Sequence, residues 1–158
     1  MDLLKIIDCD FSSETHRRAL IDLMNEYMLD GMGDYPPLDK EREVNLLKGL
    51  EEHPSKLVLF AEDNGKFIGL TNCYINFATF AAKPFINIHD IIVSKESRGK
   101  GVGRILLGEV IERAKKMGCS KITLEVREDN INAQKLYANL GFEELSPRMY
   151  FRTKHLHE

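Results

Sequence analysis

The chain has 158 residues, 43% hydrophobic and 30% charged, with a net charge of −3. That is enough chain and apolar content for one globular domain with a core, and it excludes a disordered polypeptide. No apolar run reaches the roughly 18–20 residues that cross a bilayer, and Met1-Asp2-Leu3-Leu4-Lys5 lacks the basic start and apolar middle of a secretory signal.

Leu3–Ile7 is a short apolar run that predicts an opening strand. Ser12-Ser13-Glu14 offers a helix start, followed by Leu20, Leu23, Met24 and Tyr27 at helical spacing. Gly31, Gly33, Pro36 and Pro37 break that helix within 30–37. A second helix is predicted over Lys40–Leu50, with Val44, Leu47 and Leu50 facing inward. Leu57–Glu62 and Lys66–Ile75 read as strands around Asp63-Asn64-Gly65, a strong hairpin signal because Asn and Gly tolerate positive φ. Phe85–Val93 is the next strand. Residues 101–117 form the best helix, with Val102, Leu106, Val110 and Ala114 on one stripe and Gly118 as a stop. Lys121–Arg127 alternates as a strand, Ile131–Leu140 follows as a helix, and Phe142–Leu145 and Arg148–Lys154 complete seven strands and four helices. The expected class is α/β (α+β): a mixed, mostly antiparallel sheet, with a right-handed parallel crossover over 85–127.

Cys9, Cys73 and Cys119 are widely spaced and lack CxxC or histidine partners. Free thiols in a reducing, cytoplasmic compartment are expected, and no metal site. Residues 1–94 carry 9 Lys/Arg against 16 Asp/Glu, a balance of −7; residues 95–158 carry 13 against 9, a balance of +4. This division speaks against a single broad basic face for nucleic acid.

The most informative segment runs from Ile91, Ile92 and Val93 through Arg98-Gly99-Lys100-Gly101-Val102-Gly103-Arg104. A strand enters a loop with three glycines in five residues, and the loop opens the strongest helix. Glycines permit close backbone approach, the first N–H groups of a helix are unpaired, and the helix dipole favours an anion there. Arg98, Lys100 and Arg104 add positive charge. A GxxxxGK loop followed by Ser or Thr is absent, and the spacing is GxGxG rather than the dinucleotide GxGxxG.

Arg98–Gly103 resembles the Arg/Gln-x-x-Gly-x-Gly/Ala motif of the GNAT family of N-acetyltransferases. Asn130-Ile131-Asn132-Ala133-Gln134-Lys135-Leu136-Tyr137-Ala138-Asn139-Leu140-Gly141-Phe142 resembles the same family's second signature. The likeness covers roughly residues 55–155; the first 50 residues match only in element order. It implies a single domain over 1–158, with acceptor-side elements at 1–54 and an acetyl-CoA-binding core at 55–155, and a sheet splayed between the fourth and fifth strands. It also implies acetyl-CoA as donor, its pyrophosphate on the loop from Arg98 to Arg104 and its pantetheine arm on the strand edge at Ile91, Ile92 and Val93. Asn130 and Ala133 would help hold that arm, and Tyr137 would protonate the departing sulfur while also touching the cofactor.

Amine acetylation needs a neutral amine, a donor to the developing oxyanion and a proton for the thiolate; an alkylammonium has a pKa of about 10.4. A backbone N–H at Ile91 or Ile92 could polarise the thioester carbonyl. His89, Asp90, Glu62 and Glu125 are the candidate bases, with His89 favoured because imidazole is the side chain type suited to proton acceptance at neutral pH, and Asp90 and a water relay left open. Simple alternation puts Asn87, His89, Ile91 and Val93 on one face and Ile86, Ile88, Asp90 and Ile92 on the other, so His89 and Asp90 share a face only across a bulge. Residues 22–43 hold seven acidic side chains against Lys40 and Arg42, a lip suited to a cationic small-molecule amine or a peptide amine. Met149-Tyr150-Phe151 could pair two copies into a homodimer. The expected reaction is direct attack of a primary amine on acetyl-CoA through a tetrahedral intermediate. The competing reading is a non-catalytic acyl-CoA sensor on the same fold.

Overall fold

The computed structural model describes residues 4–156, which form two compact units, one ending at Arg127 and one beginning at Glu128. The predicted start of the first strand at Leu3 lies outside the described residues. In the first unit the elements are β1 (Lys5–Asp8), α1 (Glu14–Met28), α2 (Lys40–Glu52), β2 (Lys56–Asp63), β3 (Lys66–Ala78), β4 (Lys83–Val93), a 3-10 turn (Lys95–Ser97), α3 (Val102–Lys116) and β5 (Ile122–Leu124). The second unit holds α4 (Ile131–Asn139).

The five strands form one sheet in the order β1-β2-β3-β4-β5, antiparallel from β1 to β4 and parallel between β4 and β5. Asn64 and Gly65 adopt φ of 52° and 79°, the positive values a two-residue hairpin needs. One sheet face carries Val58, Phe60, Leu70 and Ile92 against Leu20, Ile21 and Leu23 of α1 and Leu47 and Leu50 of α2. Val44 is exposed, contrary to the sequence expectation. On a 3.6-residue turn it lies off the stripe that Leu47 and Leu50 share with half-buried Leu46. The other face takes α3, whose Val102, Leu106, Leu107 and Val110 are buried.

Two further sequence expectations are corrected. The sheet has five strands rather than about seven, because Phe142–Leu145 and Arg148–Lys154 form no regular strand. Pro147 cannot donate to a ladder, and Leu145, Met149, Tyr150 and Phe151 remain exposed, so neither segment gains the paired edge and buried face a strand requires. The mixed α/β class is unaffected. The second correction concerns β4, which does not alternate simply. Asn72 of β3 aligns with Asp90 and the next residue, Cys73, aligns with Ile88, so His89 is an extra residue on β4. This bulge turns Asp90 and Ile92 toward the α1 and α2 side with Leu70 and Asn72, and leaves Ile86 and Ile88 on the α3 side with Ile75 and Cys73.

The start of α3 is set by how closely it packs on the sheet. There, a Cβ on Gly69 of β3 would lie 2.9 Å from Leu106 Cδ1 and 3.2 Å from both Val102 Cγ1 and the Ile92 carbonyl oxygen. Gly69 therefore lets the first turns of α3 sit directly on the sheet. Gly69→Val is expected to destabilise the protein by about 1–3 kcal/mol through overpacking. Denaturant unfolding checks this, and unchanged stability would contradict the close approach.

Candidate active site

Four helices begin among the described residues, and three are capped by a side chain. Ser13 accepts from the His16 N–H, Asp39 from the Arg42 N–H and Asn130 from the Ala133 N–H. α3 differs: its cap is Gly101, with φ of 84°, no side-chain cap and no acidic residue in the first turn. Its first N–H groups and the positive end of its dipole are thus left for an external anion. Gly99 is also left-handed, at φ 74°, and no atom lies within 4 Å of a Cβ built at Gly99 or Gly101. The glycines are needed for backbone conformation, and the space over the loop is open. Lys100 and Arg104 are exposed beside it, Val102 is buried and Gly103 is half-buried. The loop fits a diphosphate.

Arg98 is engaged within the protein. Its Nε donates to the Val93 carbonyl at 3.1 Å and its guanidinium pairs with the Asp30 carboxylate at 2.7 Å. The Lys95 N–H also donates to Glu26 Oε1. The end of α1 is thereby tied to the loop by two contacts that sequence reading missed. Arg98 holds the Asp30 carboxyl below the usual carboxylate range, helped by the Met32 N–H. Asp30 is therefore partly neutralised and is not a free part of the acidic lip.

β5 pairs with β4 only from Ile86 to Ile88, so beyond the bulge the β4 edge on that side is uncovered by strand. Backbone direction along this edge follows from one bond: the Ser94 N–H donates to the Ile68 carbonyl at 2.9 Å. Two residues back, the Ile92 N–H also turns toward β3, and the N–H groups of Ile91 and Val93 turn toward the open edge. Of the two donors expected from sequence, Ile91 has the outward geometry. Ile92 instead sends its side chain into the core.

The bulge brings His89 and Asp90 to the same side. His89 is exposed, with its ring edge-on to Tyr74 at 5.6 Å between centroids. Tyr74 in turn packs against the α1–α2 core and, at 4.7 Å, against His53. Half-buried Asp90 accepts from Asn72 Nδ2 at 3.0 Å. Burial first, and then the Asp90 charge, push the phenols of Tyr27 and Tyr74 up. Glu62 sits at the β2–β3 turn, aligned with Phe67, and exposed Glu125 follows the end of β5; neither joins this group.

In the second unit, Asn130 spends its Oδ1 on capping α4. Half-buried Ala133 is the residue whose N–H it receives. Tyr137 is 7% exposed, and its ring meets Phe142 edge-on at 6.0 Å.

The thiols are poor nucleophiles. Burial pushes Cys73 up to about 11 and Cys9 to about 12, and it raises Cys119 as well. All three are free cysteines. A thiol with a raised pKa is protonated at neutral pH and cannot carry an acyl group as thiolate. Cys73→Ala should therefore retain acetyl transfer within about threefold in steady-state assays. Loss of turnover with the fold intact would overturn the exclusion. Among the described residues no group of three or more His, Cys, Asp or Glu side chains is placed to hold a metal ion, and no helix is long and apolar enough to cross a membrane.

Comparison with known proteins gives these features a family. Residues 19–142 match the Acetyltransferase (GNAT) family. The chain is 36% identical over 102 residues to an uncharacterized N-acetyltransferase, YhfO, of Bacillus subtilis strain 168, covering 65% of this chain and 68% of that one. It is 34% identical over 79 residues to the thialysine N-epsilon-acetyltransferase of Bos taurus, covering 50% and 46%. The solved structure of AAC(6')-Iy in complex with the bisubstrate analog CoA-S-monomethyl-acetylneamine superimposes with a TM-score of 0.75 over 96% of this chain and 99% of that one; at 18% identity this likeness shows the fold. With a matching family over most of its length and a fold shared with a solved acetyltransferase, the chain belongs to the GNAT family and is an acetyltransferase that uses acetyl-CoA.

Proposed function

We propose that this enzyme moves the acetyl group of acetyl-CoA to the primary amine of a small cationic acceptor. The observation that carries this reading is the juxtaposition, in one unit, of the glycine-lined start of α3, the uncovered β4 edge and the His89–Asp90 pair. Acetyl-CoA supplies an activated thioester. The backbone N–H groups from Gly99 to Arg104, with Lys100 and Arg104 beside them, hold its diphosphate. The outward backbone groups of Ile91 and Val93 bond the amide-containing arm in the manner of an added strand. The Ile91 N–H then donates to the thioester carbonyl oxygen, where negative charge develops as the amine adds.

Asp90 takes the acceptor's ammonium by charge, and His89, exposed beside it, accepts the proton that frees the amine lone pair. As the C–S bond breaks, Tyr137 gives its phenolic proton to the sulfur, the added nitrogen releases its second proton to solvent and the phenolate regains one from solvent; the role of Tyr137 comes from its place in the second motif. Asn130 and Ala133 are assigned to the arm on the same ground. The cationic acceptor is supported by Asp90, by the acidic residues of 22–43, and by the similarity to an enzyme named for thialysine. Because Asp30 is paired with Arg98, attraction of a cation falls to Asp90 and the remaining acidic side chains. Three free thiols suit a cytoplasmic enzyme.

The test is thiol release from acetyl-CoA across a panel of polyamines, aminosugars, basic amino acids and lysine peptides. Release is expected with one class of small cation. It should fall about 100-fold in Tyr137→Phe and in His89→Ala, mainly in kcat, as removal of a general acid or base does. Asp90→Asn should mainly raise the acceptor KM. Release only with peptide amines, or with none of these amines, would overturn the small-cation reading. Gly101→Val, which puts a β-branched residue at positive φ, should raise the acetyl-CoA KM about tenfold or more.

A further inference from the structure

Asn72 stands where the sheet would be better served by an apolar residue. It lies on β3 between Leu70 and Tyr74, both packed toward α1 and α2, and it is 1% exposed. Its Nδ2 donates to Asp90 Oδ2 at 3.0 Å and approaches Met24 Sδ at 3.5 Å. Its Oδ1 is buried with no hydrogen-bond partner. A leucine there would bury more apolar surface and leave no acceptor unpaired, so the amide weakens the core it sits in. The next residue back, Thr71, is also fully buried and donates its hydroxyl to the Asp90 carbonyl at 2.9 Å. Two successive buried polar side chains, projecting to opposite faces of β3, thus converge on one half-buried aspartate at the bulge.

We propose that Asn72 is a positioning residue that fixes the Asp90 carboxylate as the anchor for the acceptor's ammonium. The proposal deepens the reading in which Asp90 meets the acceptor. An amide suits this task because it restrains one carboxylate oxygen without cancelling its charge; a lysine or arginine at 72 would compete with the substrate for the same negative group. Tyr74, two residues along β3 from Asn72 on the same face, meets the His89 ring at 5.6 Å, so the anchored group has an aromatic neighbour as well as a carboxylate. That combination recognises a protonated amine on an aliphatic stem.

The test uses butylammonium chloride as probe and 1-butanol as its neutral counterpart, with binding followed by NMR on the intact protein. In wild type, butylammonium should shift the Asn72 side-chain amide resonances and butanol should not. Asn72→Leu, which keeps the branched shape and heavy-atom count and removes the donor, should weaken butylammonium binding about tenfold while unfolding no earlier than wild type. Asn72→Thr, which restores a donor, should recover most of the affinity. The steady-state readout is a higher acceptor KM in Asn72→Leu with kcat and the acetyl-CoA KM within about twofold, and no further increase when it is combined with Asp90→Asn.

Unchanged butylammonium affinity in a folded Asn72→Leu protein, or absence of the shift in wild type, overturns the positioning role even if amines are acetylated. The binding results as expected, with no panel amine acetylated, would instead overturn the reaction proposed above and leave the anchor standing.

Discussion

One extra residue in β4 is the constraint on which the rest of the arrangement depends. With His89 inserted opposite the step from Asn72 to Cys73, the side-chain phase of β4 reverses and Asp90 comes to the same side as His89. Pairing with β5 ends at Ile88, immediately before the insertion. A regular strand would have sent the two titratable side chains to opposite faces and offered β5 a longer edge to pair with. The same local event therefore brings His89 and Asp90 to one side and leaves the outward N–H groups of Ile91 and Val93 uncovered by β5. Ile92, held in phase with Leu70, anchors the far side of the distortion in the α1–α2 core.

Charge completes what the backbone begins. α1 and α2 carry a capping side chain and carboxylates at their starts, whereas α3 carries neither, so among the described residues no side chain caps its N-terminus. The close fit of α3 on Gly69 keeps that N-terminus against the end of β4. Arg98, which a motif-based reading would place on the phosphates, instead bridges the Val93 carbonyl and Asp30. With Glu26 on the Lys95 N–H, it couples the end of α1 to the loop. The end of α1 and the loop are thus linked by two polar contacts, in addition to the apolar packing of α1 on the sheet.

Much of this was legible in the sequence because it is local. The helical stripe at 101–117, the Asn64-Gly65 hairpin and the glycine loop depend on residues close together in the chain, and the two motifs report a family directly. What escaped was non-local or one residue in size. A bulge leaves no mark on alternation until the partner strand's register is known, and the Arg98–Asp30 pair joins positions 68 apart. Asn72 did carry a faint signal, as an amide among the apolar and aromatic residues of β3, but its meaning depends on Asp90 lying opposite. The two C-terminal segments carry apolar and aromatic residues that suit short strands, yet composition alone supplies neither a pairing edge nor a face to bury.

The central claim is that two sets of outward backbone N–H groups, at Ile91 and Val93 and at the start of α3, form the acetyl-CoA site. Hydrogen–deuterium exchange of the protein with and without acetyl-CoA addresses it directly, because it reads those amides themselves. The account predicts slowed exchange at Ile91, Val93 and Gly99 to Arg104 on adding acetyl-CoA, with the β1–β2 ladder unaffected. Slowing confined to other segments, or none at saturating acetyl-CoA, would contradict it.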